Sequence, residues 1–208
     1  MNGDREEALA RIRRARSIAG ADEARELYAG WAEHYDRDVF GTLQVTGSAR
    51  VAGLLAAYLA PQDNPSILDA GCGTGAVGAL LHDQGFRQLD GLDISPRMLA
   101  VAARKQVYRA LAEADLNLPF GPPQPRYDAV VSAGTFVHGH VGGEGFAALA
   151  RLLTPGGIMV CAIADPVWVQ DRFDRLLQDL ELYTLSHNLE AVLPDGAPDA
   201  HMLAAKRA

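Results

Sequence analysis

The sequence predicts an α/β protein: a mostly parallel sheet of seven strands preceded by a helical extension. Three observations carry this. From Ser66 onward, short apolar runs alternate with helix-patterned segments, as parallel strands joined by crossover helices require. The last forty residues hold two strand candidates joined by a Pro/Gly turn too short for another crossover helix. Residues 1–60 show helical apolar spacing.

Taken in chain order, Leu27, Trp31 and Tyr35 recur at every fourth residue behind an Asp22 cap. Val51, Leu54, Leu55, Tyr58 and Leu59 keep to one helical face until Pro61. Ser66 to Ala70 is the first strand, and Gly71 to Gly75 is a glycine-rich turn into a helix over Ala76 to His82. Gln88 to Asp93 is the second strand, after which Ser95 caps and Pro96 opens a helix carrying Met98, Leu99 and Ala102. Val107 to Leu111 and Asp128 to Ser132 are expected as buried third and fourth strands. Phe146, Leu149, Ala150 and Leu153 mark the next helix; Pro155-Gly156-Gly157 turns the chain into a fifth strand, Ile158 to Ile163. Trp168 to Leu180 reads as one helix, and Tyr183 to His187 with His201 to Ala205 as a closing antiparallel hairpin.

The 208 residues, 49% hydrophobic and 22% charged, suit one globular domain that buries about 70% of its unfolded surface. Gly121-Pro122-Pro123 and Pro194 to Pro198 read as loops within it. No apolar run is long enough to cross a membrane, the charged start shows no secretory leader, and Cys72 and Cys161 are the only cysteines, so a reducing cytoplasm is expected. A formal charge of -7 disfavours nucleic acid as a partner. The arginines between Arg5 and Arg16, interleaved with Leu9 and Ile12, read as the wet face of an amphipathic helix.

The chemistry concentrates in Asp69-Ala70-Gly71-Cys72-Gly73-Thr74-Gly75, where a strand gives way to a helix at the sheet edge that binds ligands in open α/β folds. Asp93 ends the second strand, from where a carboxylate can accept both hydroxyls of an adenosine ribose. Gly71-x-Gly73-x-x-Ala76 also satisfies a relaxed dinucleotide fingerprint, so an NAD-dependent oxidoreductase is an alternative. Asp69 separates the two readings: its charge would oppose a pyrophosphate but suit a phosphate-free ligand with a cationic amino acid end, such as S-adenosyl-L-methionine.

On these residues the chain resembles the class I S-adenosylmethionine-dependent methyltransferases. Ile67 to Gly75 stands as their first motif, followed by Leu92-Asp93-Ile94-Ser95, Ala114-Asp115-Leu116, Tyr127 to Ser132 and Leu153-Thr154-Pro155-Gly156-Gly157. Tyr28 to Val39 and Gly134 to Gly142 resemble more closely the methyltransferase-like proteins named for the Williams-Beuren syndrome region. The resemblance implies a Rossmann-like, doubly wound sheet whose last strand is antiparallel. It also implies a single domain over 1–208, with a helical cap over the cofactor site (1–60) and an α/β core (65–208). It places Asp69 and Gly71 at the methionine end, Asp93 on the ribose, Ile94 and Met98 on the adenine face, and Ala114 and Asp115 at the adenine edge, with Ala70, Cys72, Gly73, Gly75 and Leu116 also binding the cofactor. Ser132 would line the site through its backbone, while Tyr28, Trp31 and Tyr35 would cover the sulfonium, unless they merely pack on the domain.

Methyl transfer needs no covalent enzyme intermediate, but a hydroxyl or protonated nitrogen acceptor needs a base, for which His138 and His140 are the candidates. Two histidines without a third ligand make a poor metal site, so no metal is expected. Cys72 is expected to pack rather than attack. Strand four ends in Ser132-Ala133-Gly134-Thr135 rather than the Pro-Pro turn of many base-modifying methyltransferases, which favours a small-molecule acceptor. The chain is expected as a monomer or homodimer, away from membranes. A non-catalytic protein that only binds the cofactor is the second alternative.

Overall fold

The computed structural model describes residues 2–118 and 127–208, so the Gly121-Pro122-Pro123 loop lies outside the described residues. Helices α1 (Asn2–Ala15) and α2 (Ala21–Asp36) run into a π-helical turn, Arg37–Thr42, before α3 (Gly47–Ala56). Strands β1 (Ser66–Ala70), β2 (Gln88–Asp93), β3 (Ala110–Glu113) and β4 (Tyr127–Phe136) follow, with α4 (Ala76–Asp83) and α5 (Pro96–Arg104) between them. The chain continues through α6 (Gly143–Ala150), β5 (Leu153–Ala164), α7 (Asp165–Gln170), α8 (Phe173–Asp179), β6 (Leu182–Glu190) and β7 (Ala200–Arg207).

The seven strands lie in the order β3-β2-β1-β4-β5-β7-β6. Those from β3 to β5 are parallel, and β7 runs antiparallel to both β5 and β6. The order reverses between β1 and β4, which opens a crevice at their carboxyl ends. Because side chains alternate along a strand, the same strands serve two cores. Leu68, Val130 and Met159 pack toward Phe146, Trp168 and Phe173 on one face; Ile67, Val131 and Val160 pack toward Val51, Leu55 and Leu81 on the other. The fully buried rings of Phe136, Phe146 and Phe173 sit edge-on at 5.0–6.4 Å, each contributing roughly 1.5–3 kcal/mol by burial.

Several boundaries differ from the sequence reading. Gly20, not Asp22, is the N-cap of α2; Asp22 sits in the first turn, where its charge complements the helix dipole. Helix α3 stops at Ala56, leaving Tyr58 exposed. Strand β3 begins at Ala110 and is largely exposed rather than buried, since it is an edge strand paired only with β2. The expected helix from Trp168 to Leu180 is two helices, broken at Arg172, which adopts a left-handed φ of 52°. β4 continues past Ser132 to Phe136, and Pro155-Gly156-Gly157 lies within β5, where the register with β4 shifts.

Candidate active site

Where β1 ends, the backbone reverses through three glycines with positive φ: Gly71 (71°), Gly73 (54°) and Gly75 (86°). The N–H groups of Gly71 and Cys72 donate to the Leu92 carbonyl at 2.8 and 2.9 Å and stitch this loop to β2. A Cβ on Gly71 would lie 2.0 Å from Thr135 Oγ1, so only glycine lets β4 approach this closely. Gly73 instead faces open space: a Cβ there would meet nothing within 4 Å.

The loop borders a cavity of about 840 Å³ at the carboxyl ends of β1, β2 and β4, roofed by α2. Asp93 enters it almost fully buried. One carboxylate oxygen accepts the Gly73 N–H and the other the Ser95 N–H, both at 2.8 Å. Burial pushes the Asp93 pKa up, and the N–H groups of Ser95, Gly73 and Ile94 pull against that. A carboxylate offers about four lone-pair sites, so acceptor capacity remains for ligand hydroxyls. Ile94 and Met98 line one side of the cavity, and Ala114, Asp115 and Leu116 another. Asp93 and Asp115 are the carboxylates among the described lining residues; no lysine or arginine is among them.

The aromatic stripe of α2 divides between two tasks. Tyr28 and Tyr35 line the cavity, their rings edge-to-face at 6.2 Å. Burial, with Asp93 and Asp36 nearby, pushes the Tyr35 pKa up to about 12. Trp31 does not line this cavity; its indole N–H donates to the buried Asp38 at 2.9 Å. Arg11 and Arg37 also bind Asp38, and together they hold its pKa down against burial. The end of α2 is pinned to the loop and to α5 through Asp36, which accepts from Thr74 Oγ1 and from Lys105 Nζ at 2.7 Å.

Of the two candidate bases, only His140 lines the cavity; the His138 side chain is exposed and lines no part of it. His140 Nδ1 lies 3.0 Å from the His138 carbonyl, which can only accept, so Nδ1 carries the proton. Burial lowers the His140 pKa, keeping the ring neutral and Nε2 bare to accept the Tyr28 hydroxyl at 2.9 Å. Asn117 Nδ2 donates to the His140 carbonyl and fixes this loop.

Asp69, Ala70, Gly75 and Ser132 stand behind the cavity wall rather than in it. Asp69, expected at the methionine end, is buried beneath the loop, where Tyr108 donates to its Oδ2 at 2.6 Å and the Gly78 N–H at 3.2 Å. Its Oδ1 is buried without a hydrogen-bond partner among the described residues, and burial pushes the carboxyl up to about 7 against those two donors. Ser132 donates to the Ala70 carbonyl at 2.7 Å; because β4 runs on, Ala133, Gly134 and Thr135 line the cavity in its place. Burial and the carboxylates of Asp69 and Asp93 push the Cys72 thiol far up, which suits a packing role. Sequence reasoning did not single out Tyr108, Thr135, Asn117, Phe40 or Ser48. Nothing in the sequence signals Tyr108, because its close approach to Gly75 and Gly78 exists only in the fold.

Residues 67–157 match the methyltransferase domain family. The fold is that of the class I methyltransferases. It is 35% identical over 158 residues to human methyltransferase-like protein 27, covering 76% of this chain and 64% of that protein. It is 32% identical over 154 residues to a demethylmenaquinone methyltransferase of Tropheryma whipplei, covering 69% of this chain and 60% of that enzyme. The chain thus spans somewhat under two thirds of these relatives. Among solved structures, the magnesium protoporphyrin IX methyltransferase of Synechocystis with bound S-adenosylmethionine superposes with a TM-score of 0.70 at 18% identity, covering 92% of this chain and 99% of that one. The 1,6-didemethyltoxoflavin-N1-methyltransferase of Burkholderia thailandensis, with S-adenosylhomocysteine bound, gives 0.63 at 19% identity, covering 88% and 86%. S-adenosylmethionine is the cofactor of this family.

Proposed function

We propose that the chain binds S-adenosylmethionine in the cavity beneath α2 and transfers its methyl group to an oxygen or nitrogen of a small-molecule acceptor by direct displacement. One observation carries the reading: a cavity whose described lining holds two carboxylates and no lysine or arginine, beside a glycine loop at the sheet's switch point. Such a lining suits a sulfonium nucleoside and leaves the pyrophosphate of a dinucleotide without a counter-charge.

When bound, the cofactor supplies an electrophilic methyl carbon on a sulfur that leaves as a neutral thioether. Asp93 accepts the ribose hydroxyls, with Ile94 and Met98 against the adenine and Ala114, Asp115 and Leu116 at its edge. The backbone of Gly71, Cys72 and Gly73 carries the methionine end, while Asp69, Ala70 and Gly75 hold that backbone in shape from below. Tyr28 and Tyr35 would shut out water and set aromatic rings beside the positive charge. His140 takes the proton of a hydroxyl or ammonium acceptor, directly or as the Tyr28 hydroxyl proton moves onto Nε2 while the acceptor's proton replaces it on Tyr28.

The chain's net charge of -7 and the Ser132-Ala133-Gly134-Thr135 turn favour a small molecule over nucleic acid. The free thiols of Cys72 and Cys161 fit a reducing cytoplasm. The test is incubation with S-adenosylmethionine carrying a deuterated methyl group and a metabolite extract, read by mass spectrometry. A labelled product supports transfer. Cofactor binding without any labelled product would instead favour a binding protein of the same fold.

A further inference from the structure

A second cavity of about 880 Å³ adjoins the first, and Tyr28, Tyr35, Phe40, Ser48, Ala133 and Gly134 border both. We infer that this second cavity seats the methyl acceptor, and that the acceptor is an uncharged, flat ring system presenting its nucleophile at the shared border beside Tyr28. The inference rests on the methyl-transfer reading of the first cavity and goes further by naming the acceptor's chemistry.

The walls argue for a ring. Trp31, excluded from the first cavity, lines the second, its plane within 5° of the Tyr28 ring, and Val39 and Val45 add apolar surface. The sheet side of the cavity is bare: Ala133, Gly134, Ala162, Ala164 and Ala200 offer nothing longer than a methyl group. A slot with aromatic walls against a floor of small residues fits a planar molecule.

The charges argue for neutrality. Among the described residues, the charged side chains lining this cavity are Arg16 and Asp199, and they pair with each other at 3.0 Å. The Trp31 N–H is committed to Asp38. A carboxylate, phosphate or ammonium entering here would lose water without gaining a free counter-charge. The deprotonating group lies across the border: His140 belongs to the first cavity alone, whereas Tyr28, bonded to it, touches both.

The test uses 2-naphthol as the neutral probe and 2-naphthoate as its charged counterpart, titrated calorimetrically into the full chain with and without saturating S-adenosylhomocysteine. The expected result is 2-naphthol binding at least tenfold tighter than 2-naphthoate. Ala164→Phe, which fills the floor of the second cavity alone, is expected to weaken 2-naphthol at least tenfold with S-adenosylhomocysteine affinity unchanged. Should that variant misfold, Asp199→Asn decides: it keeps an oxygen for the Val192 N–H but frees Arg16, and 2-naphthoate should gain at least threefold while 2-naphthol does not. Equal or tighter binding of 2-naphthoate to the unaltered chain, or 2-naphthol binding untouched by Ala164→Phe, overturns the assignment. Failure of S-adenosylhomocysteine to bind overturns the cofactor reading instead, and the naphthol titration without it keeps the two outcomes apart.

Discussion

The Tyr28 hydroxyl and His140 Nε2 meet at 2.9 Å across 112 residues of sequence, joining the helical extension to the loop after β4. The pair fixes both the tautomer of a candidate base and the position of a side chain shared by two cavities. Because burial depresses the His140 pKa below its ordinary value of 6.5, the folded chain favours the neutral ring while the unfolded chain charges near 6.5. Its contribution to stability is therefore full above 6.5 and is lost as pH falls below that toward the folded value. Nitrogen NMR should show His140 as the Nδ1–H tautomer at pH 7, titrating below 6.5; an Nε2–H tautomer at pH 7 would remove the base from the account.

Asp93→Ala removes the carboxylate proposed to accept the ribose hydroxyls and leaves the Gly73 and Ser95 N–H groups without their partner. Affinity for S-adenosylhomocysteine should fall about tenfold or more, equivalent to ~1.4 kcal/mol, as read by calorimetry. Unchanged affinity would break the ribose assignment.

Asp69 carries the opposite pH sign. Its folded pKa of about 7 stands above the unfolded carboxyl, so the folded chain binds the extra proton between about 4 and 7. This contribution is full below about 4 and is lost as pH rises through 7. Thermal unfolding should therefore show Asp69→Asn gaining on the unaltered chain between pH 5 and pH 8. A constant difference across that range would mean the carboxylate is not held protonated.

Asp36→Ala cuts the ties from α2 to Thr74 and Lys105. If α2 roofs the cofactor, release of S-adenosylhomocysteine should quicken several-fold in stopped-flow fluorescence while the sheet stays folded. An unaltered release rate would leave α2 a packing role only.

What the sequence revealed was what local rules determine. The glycine turn, Asp93 at a strand end and the Ser95-Pro96 helix start are written in neighbouring residues, and all three stand in the structure where expected. The division of labour along α2 was not legible, because Tyr28, Trp31 and Tyr35 share one helical spacing. Which ring meets the cavity and which meets Asp38 depends on the π-helical turn that follows. The end of β4 was misjudged because Ala133-Gly134-Thr135 has turn composition, yet the strand continues beside β5 to Phe136. Asp69 stands where the sequence places it along the chain, yet it lies beneath the loop rather than in the cavity lining, and only the fold shows Tyr108 reaching there to donate to it.

The most direct measurement is a pair of calorimetric titrations of the unaltered chain at pH 7.5, one with S-adenosylhomocysteine and one with NAD. A lining that, among the described residues, has two carboxylates and no lysine or arginine predicts saturable binding of the thioether nucleoside and none of the dinucleotide over the same concentrations. Saturable NAD binding with no response to S-adenosylhomocysteine would contradict it.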